Sequence, residues 1–149
     1  MTVNYQCLRE LENQGLFENS DHRARFSELI SCYCNYPFFN KGLCKCMYLS
    51  SWDMEHFIQM LDILNNMTLD KSRDVELMKD NGKVLEYTSD GYDKYIFQMC
   101  DTFLNDEPYE IPDAPIAEEG LYIMQRGLLA AQIIERIFRE DTDTPEDED

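Results

Sequence analysis

Basic residues are scarce in this chain of 149 residues, with 13 Lys and Arg against 30 Asp and Glu and a formal charge of −17. Phosphate contacts are made by clustered Lys and Arg, so this balance excludes direct binding to nucleic acid or to an anionic membrane surface. Long apolar runs are missing too. The longest, such as Cys46 to Leu49, span a few residues, far short of the ~20 that cross a bilayer. Met1 to Leu16 has no basic stretch followed by an apolar one, so no secretory signal is legible. The expectation is a cytoplasmic protein with reduced thiols. The six glycines are scattered, which excludes a phosphate-cradling loop. Two histidines, neither in a paired motif, supply no metal-catalytic helix face.

Hydrophobic residues make up 44% and aromatics 12%, enough apolar surface for a self-supporting core at this length. Charge is unevenly spread. Residues 1–49 balance five acids with five bases, whereas residues 50–120 hold 17 acids and five bases. The last ten residues carry seven acids and no base. Such a block repels itself, so residues 1–139 are expected to form one globular domain and 140–149 a disordered acidic tail.

Helical periodicity dominates the rest. Ser20 is placed to cap a helix with Asp21 in its first turn and Phe26, Leu29, Ile30 and Tyr33 on one face, ended by Pro37. A second helix is expected from Ser50 or Ser51 to about Asn65-Asn66, burying Met54, Phe57, Ile58, Leu61 and Leu64. A third spans about Gly91 to Leu104. A fourth spans about Ala117 to Arg139, with Arg136 and Arg139 in its last turn, where cations suit the dipole. Asn81-Gly82 reads equally as a β-hairpin turn or as the end of a short helix within residues 72–87. The expected fold is mainly α, a single-domain bundle of about four to five helices with room for that small β-hairpin.

Cys32-Tyr-Cys34 and Cys44-Lys-Cys46 form the one cluster with chemical potential. Four thiolates suit a closed tetrahedral zinc site, and Cys7 or His22 could replace a ligand. The spacing opposes it, because structural zinc pairs usually have two to four residues between them and these have one. In a helix, Cys32 and Cys34 stand about 200° apart. The bland alternative is small buried hydrophobes at a helix end and in a short strand. A catalytic thiol would need His22 or His56 as its base, and neither belongs to a recognisable signature; a solvated helix edge explains each more simply.

The sequence therefore favours a binding protein over an enzyme. In the leading expectation, a small acidic inhibitor engages a basic, nucleic-acid-binding partner by imitating the charge array of a nucleic acid. Such a partner would be a nuclease, a restriction or CRISPR effector, or a toxin. The candidate carboxylates are Asp53, Asp62, Asp70, Asp74, Glu76, Asp80, Glu86, Asp90 and Asp93. The alternative is a zinc-stabilised adaptor that uses the four cysteines and docks through Tyr33, Tyr36, Phe38, Phe39, Tyr48 and Trp52.

Overall fold

The computed structural model describes residues 2–36, 39–69 and 93–143. These contain six helices and no strand: α1 (Val3–Asn13), α2 (Ser20–Tyr33), α3 (Lys41–Ser50), α4 (Met54–Leu69), α5 (Asp93–Leu104) and α6 (Glu118–Asp143). The Asn81-Gly82 hairpin or helix lies outside the described residues. None of the described helices is long and apolar enough to cross a membrane.

α3 is the axis of the packing, in contact with α2, α4, α5 and α6. Gly42, Leu43, Cys44, Cys46, Met47, Tyr48 and Leu49 are all buried, so this helix is covered nearly all round. That explains its absence from the expected elements: a helix apolar on every side has no stripe for periodicity to detect. Gly42-Leu43-Cys44 is therefore helical and not the short strand expected around Cys44. Asn40 caps α3, accepting from the Leu43 amide at 2.8 Å. The close approach of α5 depends on Gly42, since a Cβ there would sit 2.5 Å from the Phe103 carbonyl oxygen.

Several helix boundaries move for identifiable reasons. Asn19, not Ser20, caps α2, its side chain accepting from the His22 amide at 2.8 Å. Ser50 closes α3, Ser51 follows as its C-cap, and α4 starts only at Met54. Asp53 accepts from the His56 amide at 2.9 Å and so satisfies an orphan donor of the first turn of α4. The buried face of α4 is rotated from the expected stripe. Phe57, Met60, Ile63 and Leu64 are inside, while Met54 and Ile58 are more than half exposed. α6 continues to Asp143, four residues past the expected end of the domain, so Arg136 and Arg139 precede its last turn.

Phe26, Leu29, Ile30 and Tyr33 of α2 belong to one hydrophobic core with Met124, Ile134 and Ile137 of α6 and Met99 of α5. α1 joins it through Cys7 and Leu11. Gly15, in the left-handed region at φ +68°, ends the α1 segment, and the Leu16 amide donates back to Leu11 O at 3.0 Å.

Candidate functional site

Two features carry the functional chemistry of the described residues: the distribution of charge, and a groove between α3, α5 and α6.

Most of the described cations are paired within the chain. Arg23 pairs with Glu12 at 3.0 Å. Arg25 donates to the carbonyls of Ser51 and Trp52 at 2.9 and 3.0 Å. Arg126 donates to Gly15 O and lies over the Tyr122 ring. Arg136 reaches Glu10 at 3.9 Å. Lys41 and Lys45 converge on Glu135, at 2.7 Å to Oε2 and 2.8 Å to Oε1. Their hydrogen bonds hold the Glu135 carboxyl below the usual range, Lys41 contributing most. Six of the eight basic side chains described are thus engaged with acceptors of the protein itself.

The carboxylates that follow α5 face outward. The connector between α5 and α6 presents Asp106, Glu107, Glu110 and Asp113, and the start of α6 adds Glu118 and Glu119, all six exposed. No Lys or Arg occurs between residues 95 and 125. Pro108, Pro112 and Pro115 keep this connector out of helix, and it runs over the surface with its carboxylates in water. The acid excess of residues 50–120 includes these six carboxylates, but none of them is among the nine candidates expected from the sequence. The run without Lys or Arg from residue 95 to 125 is the signal that singles them out.

Of the nine carboxylates expected to form the acidic face, Asp53 and Asp62 can be placed. Asp62 is exposed on α4. Asp53 is partly occupied, with its Oδ1 2.7 Å from the His56 ring nitrogen. Burial raises its pKa, but the hydrogen bonds from His56 outweigh that and hold it below the usual carboxylate value. Asp93 opens α5. Asp70, Asp74, Glu76, Asp80, Glu86 and Asp90 lie outside the described residues.

The four cysteines of the expected zinc site are not brought together. Cys44 and Cys46 are fully buried in α3, Cys32 is exposed, and Cys34 caps α2 and accepts weakly from Asn4 at 3.9 Å. Cys44 is hydrogen-bonded with Cys7, and Cys46 donates to the Cys100 carbonyl at 3.4 Å. The Cys44 pairing with Cys7, then burial, pushes its thiol pKa up; burial, then Cys100, does so for Cys46. Among the described residues, no three His, Cys, Asp or Glu side chains are placed to share a metal ion.

His22 departs most from expectation: it is fully buried, not on a solvated edge. The Glu18 amide donates to its Nδ1 at 3.1 Å, which leaves the proton on Nε2 to donate to Tyr48 O at 3.2 Å. Phe17, Tyr48 and Trp52 surround the ring, with centroids at 5.1, 4.9 and 4.9 Å. No cysteine appears among these partners, so the geometry assigns His22 to packing.

The groove, about 370 Å³ in volume, is bounded by Lys45 on α3, Phe103 on α5, Leu128, Ala131 and Glu135 on α6, and connector residues Asp106 to Tyr109. Asp106 holds a left-handed backbone at φ 59° and lies 3.5 Å from Lys41. The Tyr109 hydroxyl is shut off from solvent and has no hydrogen-bond partner in the structure. Burial, followed by Tyr95, pushes its pKa up, so it stays a neutral phenol.

No protein-family model matches the chain, and neither a curated protein nor a solved structure does.

Proposed function

We propose that this chain is a non-catalytic acidic binding protein that engages a basic surface on a partner, of the kind that otherwise holds nucleic acid. One observation carries this reading: six of the eight basic side chains described are tied to acceptors of the protein itself, while six carboxylates, of which Asp106 alone is paired with a described Lys or Arg, stand exposed along residues 106–119. The outward field is that of a polyanion, which steers association with cationic grooves and discriminates against anionic ones. Mimicry of a nucleic acid supplies the reason to retain a charge of −17, since self-repulsion on this scale costs stability. An inhibitor of a nuclease, of a nucleic-acid-guided effector or of a toxin fits that chemistry. The zinc-stabilised adaptor has no comparable support, because its four thiols are spread between surface and core.

The test is a pull-down from nuclease-treated lysate over a salt ladder, with a variant carrying Glu110→Gln, Asp113→Asn, Glu118→Gln and Glu119→Gln. The reading expects capture of a nucleic-acid-binding protein, released by salt, competed by added DNA or RNA and lost in the variant. Capture that resists salt and survives in the variant would overturn it, as would no capture at low salt.

A further inference from the structure

We propose that Cys46 and Cys100 form a redox couple, which a low-molecular-weight disulfide converts to a protein disulfide that fastens α3 to α5. Helical geometry prepares it. Cys44 and Cys46 are two residues apart in α3 and so stand about 200° apart around its axis. Cys44 turns to Cys7 of α1 and shares a hydrogen bond with its thiol, while Cys46 turns to Cys100 of α5. The Cys46 thiol donates to the Cys100 carbonyl at 3.4 Å and is also hydrogen-bonded with the Cys100 thiol. A disulfide needs Cα atoms within about 7 Å, a tight approach for two helices. Gly42 provides it, since a Cβ there would sit 2.5 Å from the Phe103 carbonyl oxygen. Cys46 follows Gly42 by one turn and Cys100 precedes Phe103 by one turn, so the same approach brings the two cysteines together.

Exposure assigns the two roles. Cys100 is half-buried and within reach of a small reagent, whereas Cys46 is fully buried. In the first step the Cys100 sulfur, its proton given to water, attacks a small disulfide RS–SR. That S–S bond breaks, a Cys100–SR mixed disulfide forms, and RS⁻ leaves and takes up a proton. In the second step the Cys46 sulfur attacks the Cys100 sulfur, the Cys100–SR bond breaks, and the second RSH leaves with the Cys46 proton. The pair gives up two electrons and two protons, and RS–SR becomes two RSH. Burial, then the bond with Cys100, raises the Cys46 pKa, which makes this thiol a poor target for an outside reagent. Its attack on Cys100 needs no encounter, which offsets that weakness. Cys7 and Cys44 are the internal control. They too share a hydrogen bond, but both are fully buried and sealed from an oxidant while the chain is folded.

Disulfide mapping tests this. The full chain carrying Cys32→Ser, which removes the exposed thiol, is held folded with oxidised glutathione. Free thiols are then alkylated under denaturing conditions, and disulfides are located by mass spectrometry. The expected product is a Cys46–Cys100 link, with Cys7 and Cys44 alkylated. Adding Cys46→Ala should stop the reaction at glutathione on Cys100. Adding Cys100→Ser, at a half-buried position that spares the core, should leave Cys46 alkylated, and circular dichroism verifies both folds. The link joins residues 54 apart, so oxidation should raise the urea midpoint, reversibly with dithiothreitol, and neither added variant should show that rise. Glutathione that stays on Cys100 while Cys46 is intact would overturn the couple, and so would a Cys100 left unmodified. A Cys7–Cys44 link formed at the same rate would overturn it as well, because the oxidant would then be entering an opened fold.

Discussion

The imidazole Nε2 of His22 and the backbone oxygen of Tyr48 lie 3.2 Å apart and tie the start of α2 to the buried helix α3. The contact sits in a wider knot. Ser51 Oγ donates to the same Tyr48 oxygen at 2.9 Å, and the Tyr48 hydroxyl donates to Leu16 O in the α1–α2 turn. Arg25 closes the knot on the carbonyls of Ser51 and Trp52. A histidine that reads as a surface residue in sequence is thus a fastening among three elements. Replacing it with Ala removes a ring from an aromatic cluster and leaves the Glu18 amide without its acceptor. We expect His22→Ala to destabilise the fold by about 2–4 kcal/mol in urea unfolding, with Tyr48 O still satisfied by Ser51.

The same residue gives the fold a defined pH dependence. Burial lowers the His22 pKa from 6.5 to about 4, with the hydrogen bond to Tyr48 O opposing. Between those values the unfolded chain binds a proton that the folded chain excludes. The stabilisation is complete above pH 6.5 and is lost as pH falls to about 4, on the order of 3 kcal/mol across the window. Unfolding free energies of the native chain and of His22→Gln should converge as pH drops through it. The carboxylates are common to both proteins and cancel in the difference. A difference independent of pH would refute the assignment.

Two buried glycines should respond differently to the same added methyl. At Gly42 the Cβ would meet the backbone of Phe103 and Leu104, at 2.5 Å from the carbonyl oxygen, and helix backbones cannot step aside separately. At Gly127 the nearest atoms are the Leu49 and Met99 side-chain tips, at 2.7 and 3.1 Å, which can rotate. Alanine also recovers up to about 1 kcal/mol of helix propensity. Gly42→Ala is expected to cost about 3 kcal/mol. Gly127→Ala should stay within about 1 kcal/mol of the native chain in the same thermal or urea melts.

How far these features could be read from the sequence differs by element. The face of α2 was legible because Phe26, Leu29, Ile30 and Tyr33 form one stripe with polar residues opposite. α3 was not, because Leu43, Cys44, Cys46, Met47, Tyr48 and Leu49 surround it and leave no period to detect. The α4 stripe was misassigned by part of a turn. Met54 and Phe57 share a spacing with Ile58 and Leu61, but partner helices choose Phe57, Met60 and Leu64, and only tertiary packing decides that. At the candidate site the excess of acid was legible as a number. The inward commitment of Lys41 and Lys45 to Glu135, 94 and 90 residues away, was not, since no local pattern encodes such a long-range pairing.

Thiol reactivity should follow burial and not the Cys-x-Cys pattern. Cys32 is exposed, whereas Cys7, Cys44 and Cys46 are fully buried. The raised pKa of Cys44, from its hydrogen bond with Cys7 and from burial, further reduces the reactive thiolate, as burial and Cys100 do for Cys46. A chromogenic disulfide reagent should therefore show one fast thiol in the native chain, abolished in Cys32→Ser, followed by slower reaction of the half-buried Cys34 and Cys100. The thiols of residues 7, 44 and 46 should meet the reagent itself only after denaturation. Fast reaction of Cys44 or Cys46 would mean that α3 is not the covered helix described above.

Neutralising the exposed carboxylates should separate stability from binding. The connector acids repel one another across a stretch without bases, so replacing Glu110, Asp113, Glu118 and Glu119 with their amides relieves repulsion within the fold. Glu118 and Glu119 also sit in the first turn of α6, where negative charge favours the helix by about 0.3–1 kcal/mol each. A variant limited to Glu110→Gln and Asp113→Asn avoids that loss and is expected to melt about 2–4 °C higher than the native chain at low ionic strength. The gain should vanish at high salt, where screening removes the repulsion in both proteins. Association with a basic partner should move the other way, slowing most at low salt. A variant that gains no stability and binds as before would show that these carboxylates neither strain the fold nor steer a partner.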